Sequence, residues 1–411
     1  MSDLQNRASP ADTPGMADFI DQYGSGQFER ALKLGLSLTQ KHATSPYLWS
    51  GIAGCCVFLK QWKLAVTAGL AAWTLDPDNL HTLDALSHAS GMLEDWASVQ
   101  RYGHAALALR DRPFAQNGVG ADGFAGFEPA EPLPFLPECD RNAICFSLFG
   151  GDSKYCESAI LNAQEVWRIY PGWHSRFFVD DSVPAEVRRR LLEAGARLIE
   201  VDAEMRHWPG TMWRFAASED PTLDRILFRD ADSVISEREA GAVEEWLQSG
   251  KPFHIMRDAG AHTELMLAGL WACSRGSLPP MRALVAEYLS KSAPSGRFTD
   301  QRFLSKSIWP LARDRVLQHD SLFAFRNPRP FPEGPHRTDF HTGFNESSAR
   351  LHIQFEAPQG TRVRWRIIDH AGPQPVEVCS YSAVVDGWGF DFNLPQRYIK
   401  HLSKRYSVEV I

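Results

Sequence analysis

Nothing in the 411-residue chain marks it for a membrane or for nucleic acid. No apolar run approaches the ~20 residues of a spanning helix, and the opening Met1-Ser2-Asp3-Leu4-Gln5 lacks the apolar stretch of a secretory leader. Cationic excess is missing too: 43 Lys and Arg stand against 50 Asp and Glu, a net charge of −7. No broad basic surface is therefore expected to hold nucleic acid or acidic lipid by counter-ion release. A local basic pocket for one phosphorylated small molecule remains compatible with that balance. The cysteines (Cys55, Cys56, Cys139, Cys145, Cys156, Cys273 and Cys379) are odd in number and show no Cys-x-x-Cys spacing. They read as buried thiols in a reducing compartment, and the expected location is cytoplasmic.

What is present is a folded chain. Hydrophobic residues make up 44% and charged residues 23%, and the length suggests two or three domains at roughly 150 residues each. The first hundred residues repeat. Phe28, Trp62 and Trp96 recur at intervals of 34, and Gly35, Gly69 and Gly103 follow each of them at the same offset. Ala31, Ala65 and Val99 fill the small position between, Leu38, Ala72 and Ala106 the position beyond each glycine, and Trp49 and Leu83 are one period apart. Asp76-Pro77-Asp78-Asn79 reads as a helix stop and a turn into the next unit. Such a period, with small residues where helices cross, resembles the tetratricopeptide repeat, and the expected repeat domain covers 12–113. The resemblance implies a surface for a protein partner. Gly118 to Gly126 and Pro129 to Pro137 then read as a linker over 114–139.

From 140 the pattern changes to strands alternating with helices. Ala143–Phe149, Arg176–Val179, Arg197–Val201 and Asp224–Phe228 read as strands, with helices over about 154–170, 184–194 and 237–247 between and after them. That alternation argues for a mostly parallel α/β sheet, with ligands beyond the carboxyl ends of the strands. Asp230-Ala231-Asp232 follows the fourth strand. In extended chain, residues i and i+2 point the same way, so both carboxylates can face one hard cation that neutralises a diphosphate.

These features resemble the metal-dependent GT-A glycosyltransferases, in which an Asp-x-Asp follows a central strand. The resemblance covers about 142–335. It is carried further by Phe149-Gly150-Gly151 with Tyr155 and Asn162, Met212-Trp213-Arg214-Phe215, His254 to Asp258, Ala268-Gly269-Leu270-Trp271, Asp300-Gln301 and His319-Asp320-Ser321. Stretches of this kind are similar to those of bacterial sugar transferases linked to polysaccharide biosynthesis. The expected order is tetratricopeptide-like helices, an α/β GT-A (nucleotide-diphospho-sugar transferase) domain over 140–345, and a small β module over 350–411.

The resemblance implies transfer of a sugar, from a UDP-sugar for preference, to a carbohydrate or other acceptor with Mn²⁺ or Mg²⁺. It implies metal ligation by Asp230, Asp232 and His319, and nucleotide-sugar contacts from Phe149, Gly150, Tyr155, Arg214, Asp230, Ala231 and Asp232. A sugar or acceptor pocket would use His254, Arg257, His262, Trp271 and Gln301, and the catalytic groups would be Asp300 and Asp258. Two alternatives stand beside it: a non-catalytic adaptor built on a degenerate transferase domain, and a phosphatase with an aspartate nucleophile. In the tail, Leu351–Phe355, Arg362–Ile368, Val376–Val385 and Tyr406–Ile411 alternate like strands. Trp365, Trp388 and Phe390 there are candidates for stacking on carbohydrate.

Overall fold

A computed structural model describes residues 15–117, 127–291, 298–332 and 340–411. The glycine-rich part of the expected linker, Gly118 to Gly126, and Pro335 lie outside the described residues. Helices α1 (Met16–Gly24), α2 (Phe28–His42), α3 (Pro46–Phe58), α4 (Trp62–Leu75), α5 (Leu80–Met92) and α6 (Trp96–Asn117) form three hairpins. Each aromatic of the 34-residue period opens the second helix of its hairpin. Ser45 caps α3 and Asn79 caps α5, their side chains accepting from Leu48 N–H and Thr82 N–H. The α6 helix continues through Pro113 to Asn117, past the expected end of the repeats.

The periodic glycines mark where neighbouring units touch. A Cβ on Gly35 would lie 2.8 Å from Phe19 and 2.9 Å from Ile52, and one on Gly69 2.7 Å from Leu86 in the next hairpin. At Gly103 the neighbour is Phe323, at 2.2 Å. The α/β domain thus takes the place that a fourth repeat would fill, covering the face that stacking leaves open. Asp111 of α6 reinforces this seam, accepting from Trp309 Nε1 at 2.8 Å and from Arg313 at 2.8 Å through both oxygens.

The α/β domain runs β1 (Asn142–Leu148), α7 (Ser153–Ile169), β2 (His174–Val179), α8 (Ala185–Glu193), β3 (Arg197–Glu200), a 3₁₀ stretch (Gly210–Glu219), β4 (Arg225–Phe228), α9 (Glu237–Gln248), β5 (Phe253–Arg257), β6 (Trp271–Ser274), α10 (Met281–Lys291), α11 (Thr299–Phe303) and β7 (Val316–Asp320). The sheet order is β3-β2-β1-β4-β6-β5-β7. Every pairing is parallel except those of β6, which is antiparallel to both β4 and β5. β1, β2, β4 and β5 are buried along their whole length, as strands covered on both faces must be.

Strands β8 (Ala349–Gln354), β9 (Arg362–Asp369), β10 (Val376–Val384), β11 (Gly389–Leu394) and β12 (Tyr406–Val410) form two small antiparallel sheets. The architecture is therefore helical repeats, a mixed α/β domain and a small β module, in the order the sequence suggests. Strand β11 was not among the expected strands, although Phe390, Phe392 and Leu394 alternate inward along it. The module packs on α7 through Glu157, which is fully buried. Its carboxylate takes both terminal nitrogens of Arg190 at 2.6 and 3.0 Å and the hydroxyls of Tyr381 and Tyr398. Trp365 and Phe390 are in the module's core and unavailable to a sugar, whereas Trp388 is 84% exposed. The described cysteines are free and buried, and no described helix is long and apolar enough to cross a membrane.

The seam generates a test. A methyl group at Gly103 must displace the buried Phe323 ring, whereas at Gly24 it meets nothing within 4 Å. Gly103→Ala should lose about 1–3 kcal/mol through overpacking, while Gly24→Ala should be neutral or slightly stabilising. Urea unfolding of both variants checks this; equal midpoints would contradict it.

Candidate functional site

Beyond the carboxyl ends of β1 and β4 lies a cavity of about 640 Å³. One wall comes from Ser147, Leu148 and Phe149 after β1 with Tyr155 of α7, and the floor from Asp230, Ala231 and Asp232 after β4. The opposite wall is His262 with Leu267 to Leu270, and Asp300, Gln301 and Gly343 close it. This is where an open α/β sheet holds ligands.

Local chemistry aims the two aspartates. Asn162 of α7 is buried; its Nδ2 donates to Ser233 O at 2.7 Å and its Oδ1 accepts from Ile235 N–H at 3.0 Å. That side chain pins the turn directly after Asp232. Gly269 is required opposite Asp230, because a Cβ there would sit 2.2 Å from Asp230 Oδ2. Beneath them Arg214, 2% exposed, sends one terminal nitrogen to Asp230 Oδ1 at 2.8 Å, Asp300 Oδ2 at 3.3 Å and Ala268 O at 3.1 Å. Asp232 Oδ2 meets Lys154 Nζ at 3.3 Å and accepts from Asn345 Nδ2 at 3.0 Å. Burial, with Asp230 beside it, holds the Asp232 carboxyl above the usual carboxylate range, although Lys154 acts the other way. Asp300 is raised in the same way, by burial first, against the pull of Arg214.

These donors fit a hard divalent cation. Two crowded carboxylates resist sharing negative charge, and their ion pairs run through Asp230 Oδ1 to Arg214 and Asp232 Oδ2 to Lys154. No group of three or more His, Cys, Asp and Glu side chains gathers there or elsewhere among the described residues. A cation would thus have two protein carboxylates and would draw its remaining ligands from water or from a bound diphosphate.

The structure brings Phe149, Tyr155, Arg214, Asp230, Ala231, Asp232, His262, Asp300 and Gln301 to the cavity and leaves other expected residues away from it. His319, expected as a third metal ligand, lies inside β7, wholly buried. Its Nδ1 pairs with His254 Nε2 at 2.8 Å and its Nε2 with Glu245 at 3.1 Å, so neither nitrogen is left for a metal. His254 is equally buried, stacked on Trp246, and burial pushes it well below the ordinary imidazole range. Asp258 is not placed to catalyse: its carboxylate takes Arg238 at 2.8 Å through both oxygens and Thr342 N–H at 2.9 Å. Arg257 spends its guanidinium on Glu264 O, Leu265 O and Gln318. Trp271 stacks on Phe228 in the core at 4.1 Å. Gly150 is a left-handed turn (φ 74°) whose N–H donates to Ser182 Oγ, and it does not line the cavity. All but Gly150 sit in or just after strands buried on both faces, where polar side chains must pair internally.

Sequence reasoning missed Lys154 and Asn345. Lys154 had a visible signal, lying next to Tyr155 in the first turn of α7. Asn345 had none, because only the long return of the chain after β7 brings it beside Asp232.

No family model matches the chain, and no curated protein matches it. Among solved structures it is similar to the glucosyl-3-phosphoglycerate synthase of M. tuberculosis at 14% identity and a TM-score of 0.30, over 51% of this chain and 81% of that one. It is similar to the Thermobaculum terrenum O-GlcNAc transferase at 14% identity and 0.24, over 49% and 44% of the two chains. PcrH, solved with the chaperone-binding region of PopD, gives 17% identity and 0.24, over 28% and 84%. Scores this low carry no argument about function, which rests on the cavity itself.

Arg214 is the countercharge for the half-exposed Asp230 and the buried Asp300, so Arg214→Gln should cost about 3 kcal/mol, chiefly by leaving the Asp300 carboxylate unpaired. Asp300, already raised, should then bind its proton still more readily in the folded protein than in the unfolded chain. Stability of the variant relative to wild type should therefore rise as pH falls from neutral toward the ordinary carboxylate range, narrowing the gap between them. Urea titrations across that range test this, and a gap that widens would contradict it.

Proposed function

We propose that the chain is a metal-dependent glycosyltransferase that moves a sugar from a nucleotide-sugar, UDP-linked for preference, to a hydroxyl of a carbohydrate or other acceptor. The observation that carries this reading is the pair Asp230 and Asp232, held by Arg214, Lys154 and Asn345 on the floor of a cavity large enough for a nucleotide-sugar. Asp230 and Asp232 would hold Mn²⁺ or Mg²⁺ with the donor's diphosphate, and the cation would supply charge neutralisation as the nucleotide leaves.

The remaining chemistry belongs to the protein. Phe149, 43% exposed and edge-on to Trp213, and Tyr155 offer aromatic faces to the base. Arg214 anchors Asp230 and Asp300 rather than reaching out to a phosphate. Asp300 lines the cavity with a carboxyl raised by burial, a setting suited to taking a proton from an acceptor hydroxyl. Gln301 donates to Met266 O and accepts from Ala268 N–H at 3.0 Å, and so shapes the wall that faces the sugar.

Calorimetry with UDP, with and without Mn²⁺, on wild type and Asp232→Ala tests the donor side. Metal should be required for tight binding, and the variant should lose it; metal-independent binding that survives the substitution would overturn the reading. Nucleotide release from a panel of UDP- and GDP-sugars tests the reaction. There Asp300→Asn should cut turnover roughly 10²–10⁴-fold with UDP affinity nearly unchanged. Absence of binding and hydrolysis across the panel would favour an adaptor, and metal-dependent cleavage of a simple phosphate ester a phosphatase.

A further inference from the structure

The wall carrying His262 is built against the helical repeats, and it is joined to them by several independent contacts. Ser87 Oγ of α5 donates to Gly260 O at 2.7 Å, a buried bond. Backbone meets backbone beside it: a Cβ on Gly260 would lie 2.7 Å from Ser87 O and 3.2 Å from Gly91 Cα. Thr263 Oγ1 donates to Asp84 Oδ1 at 2.7 Å. Arg110 of α6 then joins the two sides, with paired bonds to Asp84 at 3.0 and 2.8 Å and to Glu264 at 3.2 and 3.0 Å. From the other side Arg257 grips the carbonyls of Glu264 and Leu265. Residues 260–265 are thus clamped between α5–α6 and the sheet, and His262 lies in the middle of the clamped segment.

The clamp also fixes the chemistry of that histidine. The backbone N–H of Asp258 donates to His262 Nδ1 at 3.0 Å, so this nitrogen carries the lone pair and the ring proton sits on Nε2. No hydrogen-bond partner of Nε2 occurs among the described residues, and the ring lines the cavity. Burial first, then His341 with Arg257 and His88 nearby, keeps the ring well below the ordinary imidazole range despite Asp258, so it is neutral. A neutral ring with its lone pair engaged offers one thing to a ligand, an N–H, and cannot act as a base.

We propose that the repeat stack forms a working wall of the cavity, and that Arg110 is a positioning residue that holds His262 as a fixed N–H donor to an oxygen of a neutral, hydroxylated acceptor. Only the nature of the acceptor rests on the glycosyltransferase reading; the positioning does not.

The experiment uses the full chain with ¹⁵N-labelled histidine rings, alongside hydrogen exchange. In wild type His262 should show a single tautomer with the proton on Nε2. Arg110→Ala should mix the tautomers and speed amide exchange through 259–265 roughly tenfold, with Mn²⁺–UDP affinity unchanged within about threefold of wild type. Arg110→Lys should restore part of both signals. Should Arg110→Ala not fold, Ser87→Ala with Thr263→Val removes two of the clamping bonds without a charge and should shift the same signals. A His262 signal and local exchange identical to wild type in the folded variants, or exchange raised evenly through the chain, would overturn the proposal. Failure of wild type to bind UDP while the His262 signals respond as stated would remove the glycosyltransferase reading and leave the positioning role standing.

Discussion

A single buried guanidinium organises the site. Arg214 comes from the 3₁₀ stretch after β3, yet one of its nitrogens reaches the β4 turn at Asp230, the start of α11 at Asp300 and the 266–270 segment at Ala268 O. Three pieces of chain far apart in sequence are thereby held around one positive charge. Without it the buried Asp300 carboxylate would lie near the half-exposed Asp230 with no countercharge, and an unpaired buried charge costs about 3 kcal/mol or more. With it, Asp230 is held through Oδ1, and Gly269 leaves room for Oδ2. Lys154 and Asn345 do the same for Asp232 from the far side. The two aspartates on the floor are thus each held by a cationic partner, Asp230 by Arg214 and Asp232 by Lys154.

The second organising feature is continuity between the repeats and the α/β domain. A tetratricopeptide-like stack needs its open end covered, and here Phe323 and the 259–265 segment cover it. The same packing that completes the repeat core forms one side of the cavity. Asp111, Arg110 and Ser87 make charged or buried bonds across this boundary, of the kind found inside a single core. The repeats and the α/β domain thus share one packed boundary along α5 and α6.

The sequence carried the fold well because periodicity is a local signal. The 34-residue spacing of Phe28, Trp62 and Trp96 placed the second helices, and the apolar runs ahead of Gly150, Asp180 and Asp230 placed β1, β2 and β4. The reversed direction of β6 and the short β11 were not evident, the first because four residues carry no orientation. Strand-end position pointed to Asp230 but equally to Gly150 and Asp180, which do not line the cavity, and Phe149 was singled out only through the resemblance. His254, Arg257, Asp258 and His319 were not legible, since a polar cluster beside an apolar strand looks the same whether it faces a ligand or satisfies itself. Only the pairings His254–His319 and Asp258–Arg238 decide between those outcomes, and they join segments from 20 to 65 residues apart. Asn345 illustrates the converse: its role exists only through tertiary return.

The central claim is that Asp230 and Asp232 together bind a divalent cation against a nucleoside diphosphate. The most direct measurement is anomalous diffraction from crystals grown with UDP and Mn²⁺. The account predicts one manganese peak within coordination distance of Asp230 Oδ2 and Asp232 Oδ1, with diphosphate oxygens on its open side and Arg214 still beneath Asp230. A manganese bound elsewhere, or UDP seated in the cavity with Lys154 still on Asp232 and no metal present, would contradict it.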